Sequence, residues 1–195
     1  MSIEDIIRNI ELHFTTLTEE CKNDLKNNSK IISLDKETTI VKEGQFSDKT
    51  YFIAKGAARA YYLKDGNEIT DWFAFDNSFI SSINSFFLNT PSIHYIEVLE
   101  PSIFLEISRE NVMLLSDRYR EFDRLGKTII TQTMLQLQQR IVSIQFETAQ
   151  KKYENLLNVR PDITNRVALT HIASYLGITL ETLSRIRKPK KTNLI

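Results

Sequence analysis

Apolar residues recur at helical spacing over the first part of the chain. Five of them fall on one face of a helix: Ile3, Ile6, Ile7, Ile10 and Phe14. A second, shorter helix is expected to follow, because Thr16 or Thr18 can serve as N-cap ahead of the acidic pair Glu19 and Glu20.

From about residue 30 to residue 107 the pattern changes to short runs rich in Ile, Val, Tyr, Phe and Thr. Turn-forming pairs separate the runs, namely Glu43 with Gly44, Lys55 with Gly56, Asp65 with Gly66 and Asp76 with Asn77. The pattern predicts strands at Lys30–Leu34, Thr38–Lys42, Thr50–Lys55, Ala57–Leu63, Glu68–Phe75, His94–Glu100 and Ser102–Ile107. Many short strands at regular spacing predict an antiparallel β-roll of the jelly-roll type.

Helical spacing resumes after Ser108, a predicted N-cap, and continues to about residue 148 in steps of three and four. An apolar stripe of this length, interrupted at Gly126, exceeds that of a typical globular helix. It fits a helix packed on its own roll, but its length favours a seam between two chains. The predicted dimer interface is Phe122, Leu125, Ile129, Thr133, Leu137, Ile141 and Ile144, with Gln132, Gln136, Gln138 and Gln139 beside it.

The segment Leu169–Lys188 has the pattern of a helix-turn-helix. Gly177 ends the first helix and supplies the left-handed backbone that a tight turn requires. Thr179 is a good N-cap for the second helix. The positions expected to be buried between the helices are Ile172, Ala173, Leu176, Ile178, Leu183 and Ile186, and Pro189 is expected to close or kink the end of the second helix.

The outward face of the second helix suits the major groove of DNA. Arg185 can donate two hydrogen bonds to guanine, and Glu181 can accept one from cytosine. A solvent-exposed pair of Glu181 and Arg185 at i,i+4 is the simpler alternative. The predicted DNA contacts are Leu180, Glu181, Thr182, Ser184 and Arg185 on the bases or their edge, and Thr170, His171, Thr179 and Lys188 on phosphates.

The formal net charge of zero conceals an asymmetry along the chain. Residues 149–195 carry nine basic and three acidic side chains, a net charge of +6, so residues 1–148 carry −6. A basic C-terminal module on an acidic body is suited to a polyanionic partner. It disfavours nucleic-acid binding over the whole surface.

Several classes of protein are disfavoured by the sequence. No run of 18 apolar residues exists, and the N-terminus is acidic where a signal peptide is basic, so we expect a cytoplasmic protein without a membrane segment. The single cysteine, Cys21, leaves no cluster for zinc or an iron–sulfur centre. We therefore predict neither a metal nor a cofactor.

The chain, with its predicted roll, long helix and helix-turn-helix, resembles the CRP/FNR superfamily of bacterial regulators over essentially its whole length. The matching residues are Glu43, Gly44, Asp48, Tyr51, Phe52, Ile53, Gly56 and the run 61–68 in the roll, and the run 172–186 at the C-terminus. The resemblance implies a cyclic-nucleotide-type β-roll, a long dimerisation helix and a winged helix-turn-helix. It also implies that Glu181 and Arg185 occupy base-contacting positions.

The sequence departs from this family where cyclic-nucleotide members hold the phosphate. The family's Gly-Glu positions are Ser81 and Ser82 here, and its Arg-Ser positions are Ser92 and Ile93. Residues 65–108 contain no Arg or Lys, so a buried phosphate would lack its cation. We therefore expect no cyclic AMP sensing of the usual type.

Other departures concern the remaining sensor types and the DNA contact. Oxygen-sensing relatives need several cysteines, and haem-sensing relatives need axial ligands, whereas His94 is the only His of the strand region. Arg59 is the one cation with the potential to reach into the roll. The family's usual basic residue at the start of the recognition helix is Leu180, and too few residues follow Pro189 for the usual wing, so Lys188, Lys190 and Lys191 are expected to support binding.

The sequence therefore predicts an α+β chain with a roll sensor domain (1–115), a dimerisation helix (116–148) and an all-α (winged) helix-turn-helix domain (149–195). The predicted function is that of a homodimeric transcription regulator, with double-stranded DNA and RNA polymerase as partners. Its roll either senses an unidentified small molecule or has lost ligand binding. The candidate effector pocket is Trp72, Phe79, Ser81, Ser82, Ser92, His94 and Tyr95.

Two alternatives belong to other classes. One is a cyclic-nucleotide-binding regulatory protein with a non-standard phosphate site and no DNA contact. The other is a cupin-like enzyme, which needs clustered His ligands, whereas His13, His94 and His171 lie in three different regions. We predict no catalytic residue.

Overall fold

Two antiparallel four-stranded sheets form the roll (residues 29–108) in this computed structural model, which describes residues 1–188. The strand orders are β1-β8-β3-β6 and β2-β7-β4-β5. The strands are β1 Ser29–Leu34, β2 Thr39–Val41, β3 Lys49–Lys55, β4 Ala57–Lys64, β5 Asn67–Phe75, β6 Ser78–Ser81, β7 Tyr95–Val98 and β8 Ser102–Ser108. The predictions for Pro189, Lys190, Lys191 and a wing lie outside the described residues.

All seven predicted strands are present, with ends within two residues of those expected. The short strand β6 and the short helix that follows it were not predicted from the sequence. A four-residue strand is too short to show a clear alternation, and β6 is held in place by its pairing with β3 rather than by its own pattern.

The helices are α1 Ile3–His13, α2 Glu19–Asn27, α3 Ile83–Leu88, α4 Arg109–Arg118, α5 Arg120–Phe146, α6 Ala149–Val159, α7 Ile163–Arg166, α8 Leu169–Leu176 and α9 Leu180–Ile186. Thr18 caps α2 by accepting a hydrogen bond from the backbone N–H of Cys21, and Ser108 caps α4 in the same way. These two predicted caps are confirmed. We call residues 149–188, which contain α6–α9, the C-terminal module.

The predicted long helix is divided near its start. The backbone of Tyr119 is extended, with φ −125° and ψ 114°, so α4 ends before it and α5 begins after it. The hydroxyl of Tyr119 donates a hydrogen bond to Asp24 on α2 at 2.7 Å. The apolar spacing passes through this break unchanged, which is why the sequence pattern did not reveal it.

Apolar side chains form three cores. The first lies between the β1-β8-β3-β6 sheet and helices α1, α2, α4 and α5, and the second lies between the two sheets. The third joins Ala57, Phe75 and Leu99 of the roll to buried residues of the C-terminal module such as Ile172 and Leu183. The β2-β7-β4-β5 sheet is therefore covered on both faces, and the module packs on its outer face.

Gly56 lies where the roll meets the module. Its φ is +114°, and a Cβ atom there would lie 2.0 Å from Oγ of Ser102. Only glycine fits both the backbone and the space. Within residues 1–188, no helix combines the length and the apolarity needed to span a bilayer.

Candidate nucleic-acid interface and effector pocket

The C-terminal module contains the predicted helix-turn-helix. Gly177 has φ 65° and ψ 39°, and the N–H of Ile178 donates to the carbonyl of Ala173 at 3.0 Å, which closes α8. Thr179 then caps α9 by accepting a hydrogen bond from the N–H of Thr182 at 3.2 Å. The turn and both helices therefore follow from short-range signals in the sequence.

Helix α9 separates a buried side from an exposed side. Leu183 is fully buried and Ile186 is partly buried, as predicted. Glu181, Ser184, Arg185 and Lys188 are exposed together with Leu180, whereas Thr182 is partly buried at the edge of this face. We call these six residues the reading face.

The charge state of Glu181 suits it to accept hydrogen bonds. A hydrogen bond from its own backbone N–H and one with the hydroxyl of Thr179 lower the pKa of the Glu181 carboxyl. The side chain is therefore an ionised acceptor at neutral pH, while Arg185 one turn later is a donor. Such an acceptor and donor are the groups that distinguish cytosine from guanine in the major groove.

His171 does not share the exposed surface. Its Nε2 atom lies 3.8 Å from the Glu68 carboxylate of the roll, and burial lowers the pKa of its imidazole. In this arrangement His171 contacts the roll, so a phosphate contact by His171 requires the module to move. The other predicted phosphate contacts, Thr170, Thr179 and Lys188, are exposed.

Four of the predicted pocket residues come together inside the roll. Oγ of Ser82 donates to Oγ of Ser92 at 2.8 Å, and Oγ of Ser92 donates to the carbonyl of His94 at 2.7 Å. The His94 ring meets the Trp72 ring edge-on, with centroids 5.6 Å apart. Because the buried serines satisfy each other, the positions that hold phosphate in cyclic-nucleotide members are occupied by a closed hydrogen-bond chain.

The other three predicted pocket residues lie elsewhere. Phe79 packs on Phe52 in the core beneath α1, with ring centroids 5.1 Å apart, and Ser81 is on the same side of β6 because side chains alternate along a strand. Tyr95 stacks on Tyr61 at 5.1 Å. The seven residues therefore do not line one cavity. Phe79 and Ser81 point away from the other predicted pocket residues because side chains alternate along β6.

Arg59 does not reach into the roll. It lies on the outer face of β4, since Ala58 and Ala60 point into the core between the sheets. Its Nε donates to Glu97 at 2.7 Å, it also pairs with Glu68, and its side chain is only 1% exposed. Residues 65–108 have no Arg or Lys either, so the cationic partner that a cyclic phosphate needs is missing from the roll interior.

An ion network that the sequence analysis missed ties the module to the roll. Arg166 donates to Glu100, to Asp76 at 2.7 Å and to the carbonyl of Gly56 at 2.9 Å. The hydrogen bond with Glu100 is the main reason why the pKa of Arg166 is raised. No short-range signal identifies these pairs, because Arg166 and its partners in the roll lie 66 to 110 positions apart along the chain.

The stripe predicted as the dimer interface is divided between two surfaces. Phe122 and Leu125 are buried in the chain's own core and Ile129 packs against it, so these side chains already have partners within the chain. Thr133 is partly buried and donates its hydroxyl to the carbonyl of Ile129. From Ile130 onwards α5 has an apolar stripe in steps of four and three, which we call the exposed seam: Ile130, Met134, Ile141 and Ile144, which are exposed, and Leu137, which is partly buried.

The exposed seam keeps part of the predicted interface and extends it. Ile130, Met134, Ile141 and Ile144 are 43–59% exposed, which is unusual for large apolar side chains in regular spacing. A repeat of four and three is the spacing of a two-helix coiled seam. The seam is available for a second chain.

Buried His94 makes stability depend on pH. Burial lowers the pKa of His94 against a smaller opposing effect of Asp71, and neither ring nitrogen has a hydrogen-bond partner among residues 1–188. The unfolded chain, with a His pKa of about 6.5, therefore binds the proton first as the pH falls. We expect the free energy of unfolding to decrease from about pH 7.5 to about pH 5.5, with stability lost below the unfolded pKa.

Urea denaturation at the two pH values measures this effect. Replacing His94 with Phe is expected to reduce the loss, and the part that remains is assigned to His171, whose pKa is shifted in the same direction. Replacing exposed His13 with Phe is the matched control and is expected to leave the loss unchanged. An equal loss in wild type and in the His94→Phe variant would contradict a neutral, buried His94.

Among residues 1–188, no group of three or more His, Cys, Asp or Glu is arranged to hold a metal ion. His13, His94 and His171 lie on α1, before β7 and on α8, respectively. The free thiol of Cys21 is buried, and burial raises its pKa to about 12.

The fold is similar to that of known bacterial regulators. Residues 31–119 match the family model described as "Cyclic nucleotide-binding domain". A putative transcriptional regulator of the crp/fnr family from Eubacterium rectale superposes with a TM-score of 0.68 at 20% identity, over 87% of this chain and 82% of that chain. FixK2 from Bradyrhizobium japonicum superposes with a TM-score of 0.66 at 20% identity, over 81% and 82%.

A third similar structure is that of CLP from Xanthomonas campestris, described as a c-di-GMP responsive global regulator. It superposes with a TM-score of 0.68 at 14% identity, over 87% of this chain and 89% of that chain. No curated protein matches the chain in sequence. The resemblance to CRP/FNR regulators is thus confirmed for the fold, and the predicted α+β architecture of roll, long helix and C-terminal helices is correct.

Proposed function

We propose that this chain is a homodimeric, sequence-specific DNA-binding transcription regulator. The observation that carries the proposal is the exposed reading face on a capped second helix, in the part of the chain whose net charge is +6. A binding role also agrees with the family whose model matches the roll.

The chemistry of the reading face supports major-groove recognition. Arg185 supplies a planar pair of donors for guanine, and the ionised Glu181 supplies an acceptor for cytosine. Leu180 is 39% exposed at the start of the helix and can contact a thymine methyl group. The exposed Thr170, Thr179 and Lys188 are then available to phosphates, which position the module without distinguishing bases.

Dimerisation through the exposed seam supports the same function. A short helix alone contacts few base pairs, so two copies related by a two-fold axis are needed for a specific site of useful affinity. The seam lies on α5, directly before the module, so dimerisation would set the separation of the two reading faces. We expect the dimer to act on double-stranded DNA in the cytoplasm and to contact RNA polymerase.

The effector of this regulator is not cyclic AMP bound through the phosphate site of the usual type. The Ser82–Ser92 pair and the outward position of Arg59 leave no charged group for a phosphate inside the roll. The second candidate function is a cyclic-nucleotide-binding protein with a non-standard phosphate site and no DNA contact, which the family match alone favours. It leaves the exposed reading face without a role.

Electrophoretic mobility shift with genomic fragments tests the proposal. Each of Glu181→Ala and Arg185→Ala removes one base contact, so we expect either change to weaken specific binding by about 1–3 kcal/mol, roughly fivefold to 150-fold. Arg8→Ala, at an exposed position of α1, is the control for the loss of a positive charge and is expected to have no effect. Unchanged binding in both module variants would overturn the assignment of the reading face.

A further inference from the structure

A cavity of about 720 Å³ lies between the roll and the C-terminal module. Its walls come from the end of β5, the C-terminal half of α5, α6 and the end of α8. A volume of this size is in the range of small-molecule sites. The cavity is distinct from the Ser82–Ser92 region, which lies inside the roll.

The walls of this interdomain cavity are largely apolar. Phe73 and Phe75 of the roll face Val142 of α5 and Leu156 and Val159 of α6. These side chains are suited to an aromatic or aliphatic body. An occupant would therefore bury apolar surface against the roll and the module at the same time.

The charged groups of the cavity favour an anion. Three cations line it, namely Arg140, Lys152 and Arg160, against two carboxylates. Asp76 is already engaged by Arg166 at 2.7 Å, and Glu147 accepts a hydrogen bond from Asn155 at 2.8 Å. Asp76 is thus neutralised by a cation outside the lining, and the charged lining residues have a net charge of +1, although Arg140 also pairs with Asp71 at 3.5 Å.

Arg160 has unused hydrogen-bonding capacity at two of its nitrogen atoms, and Arg140 has it at Nε. Its guanidinium lies over the Phe75 ring, 4.0 Å from the centroid, and its nearest carboxylates, Asp76 and Asp162, are 3.9 and 3.7 Å away. Within the described part of the chain, neither Nε nor Nη2 of Arg160 has a hydrogen-bond partner, although both are buried. Buried donors without partners are costly, and an anion beside them would remove that cost.

We propose that the interdomain cavity binds an amphipathic organic anion, with its apolar body between Phe75, Val142 and Leu156 and its anionic group at Arg160. Such a ligand would hold the module against the roll, because its walls belong to both. Ile144 lines the cavity and also belongs to the exposed seam, so occupancy also bears on the dimer. The interpretation of this cavity as the effector site rests on the function proposed above. Binding of the anion in the cavity does not depend on that function.

Titration of the full chain with anilinonaphthalene sulfonate, an aromatic anion that fluoresces in apolar sites, tests the proposal without DNA. We expect saturable binding at one site per chain. Decanoate should displace the probe, and the uncharged 1-decanol should do so at least tenfold less effectively, because it lacks the group that Arg160 would bind.

Two variants locate the site. Val159→Trp fills space in the cavity at a position that is 76% exposed, and Arg160→Gln removes the cation, so each should weaken probe binding at least tenfold. Leu12→Trp, 74% exposed on α1, and Arg124→Gln, exposed on α5, are the matched controls and should bind like wild type. Thermal melting shows whether each variant is folded. If Arg160→Gln is not folded, the result for Val159→Trp decides the test.

The absence of saturable binding would overturn the proposal, as would wild-type affinity in a folded Val159→Trp variant. Equal displacement by decanoate and 1-decanol would overturn the assignment of an anion. These binding measurements are made without DNA. A negative result would therefore not contradict the proposed DNA contact, and a failure of the DNA-binding experiment would not contradict ligand binding in the cavity.

Discussion

Replacing Arg59 with Met is expected to lower the free energy of unfolding by about 3 kcal/mol, the lower part of the range for breaking a buried ion pair. Arg59 is 1% exposed and pairs with Glu97 and Glu68. Glu97 is only 18% exposed, so it would keep its charge in a poorly hydrated place without a cation. Glu68 is 44% exposed and can turn towards water, which is why the lower value is expected.

Chemical denaturation at fixed protein concentration measures this loss. The double variant Arg59→Met with Glu97→Gln should recover at least half of it, because the orphaned charge is then removed. Lys64→Met, at the exposed end of the same strand, is the matched control and should change stability by less than about 0.5 kcal/mol. A loss in Arg59→Met no larger than that in Lys64→Met would show that the outward ion pair does not stabilise the protein.

Replacing Ile141 with Glu is expected to dissociate the proposed dimer, raising its dissociation constant at least a hundredfold, or about 3 kcal/mol. Ile141 is 56% exposed in the single chain and lies in the C-terminal half of the exposed seam. In a two-chain seam the same carboxylate would face its own copy in an apolar contact. Stability of the single chain should change little, because the side chain is exposed there.

Sedimentation velocity over a range of protein concentrations measures the dissociation constant. Gln132→Glu adds the same charge at an exposed position on the opposite side of α5 from the seam and should leave the dimer intact. Met134→Glu, about two turns before Ile141 in the same seam, should act like Ile141→Glu. Dimers of unchanged strength in both seam variants would contradict the interface.

The elements that were predictable from the sequence are those determined by neighbours along the chain. Gly177 and Thr179 specify the turn of the helix-turn-helix and the start of α9 within three residues of each other. The exposed side of α9 follows from helical period alone, whereas the surroundings of His171 do not. That residue is on α8, and Glu68 of the roll, which it approaches, is 103 positions earlier in the chain.

The input side of the molecule was less predictable, because its geometry depends on pairing between distant strands. Phe79 and Ser81 point towards α1 because β6 pairs with β3 in a particular register. Arg59 points outwards because it pairs with Glu97 across β4 and β7. A shift of one residue in the pairing of either strand would reverse the direction of the side chains on that strand, and composition does not determine the register.

The sequence did not show where the proposed dimer surface begins, because the break at Tyr119 is invisible in the apolar spacing. The first turns of α5 cover the chain's own core, so Phe122 and Leu125 continue the pattern of the stripe without being available to a partner. Apolar spacing shows which face of a helix is buried but not which neighbour buries it. The exposures of Ile130 and Met134 supplied that distinction.

In the proposed function, two reading faces of one dimer bind a specific DNA site together. Selection of binding sites from random double-stranded DNA, followed by sequencing, is a direct test of this binding. We predict enrichment of an inverted repeat whose half-sites are about 10 base pairs, one helical turn, apart or a multiple of this, and loss of the preference at one position per half-site with Arg185→Ala. Recovery of no enriched sequence, or the same sequence with Arg185→Ala, would contradict the account.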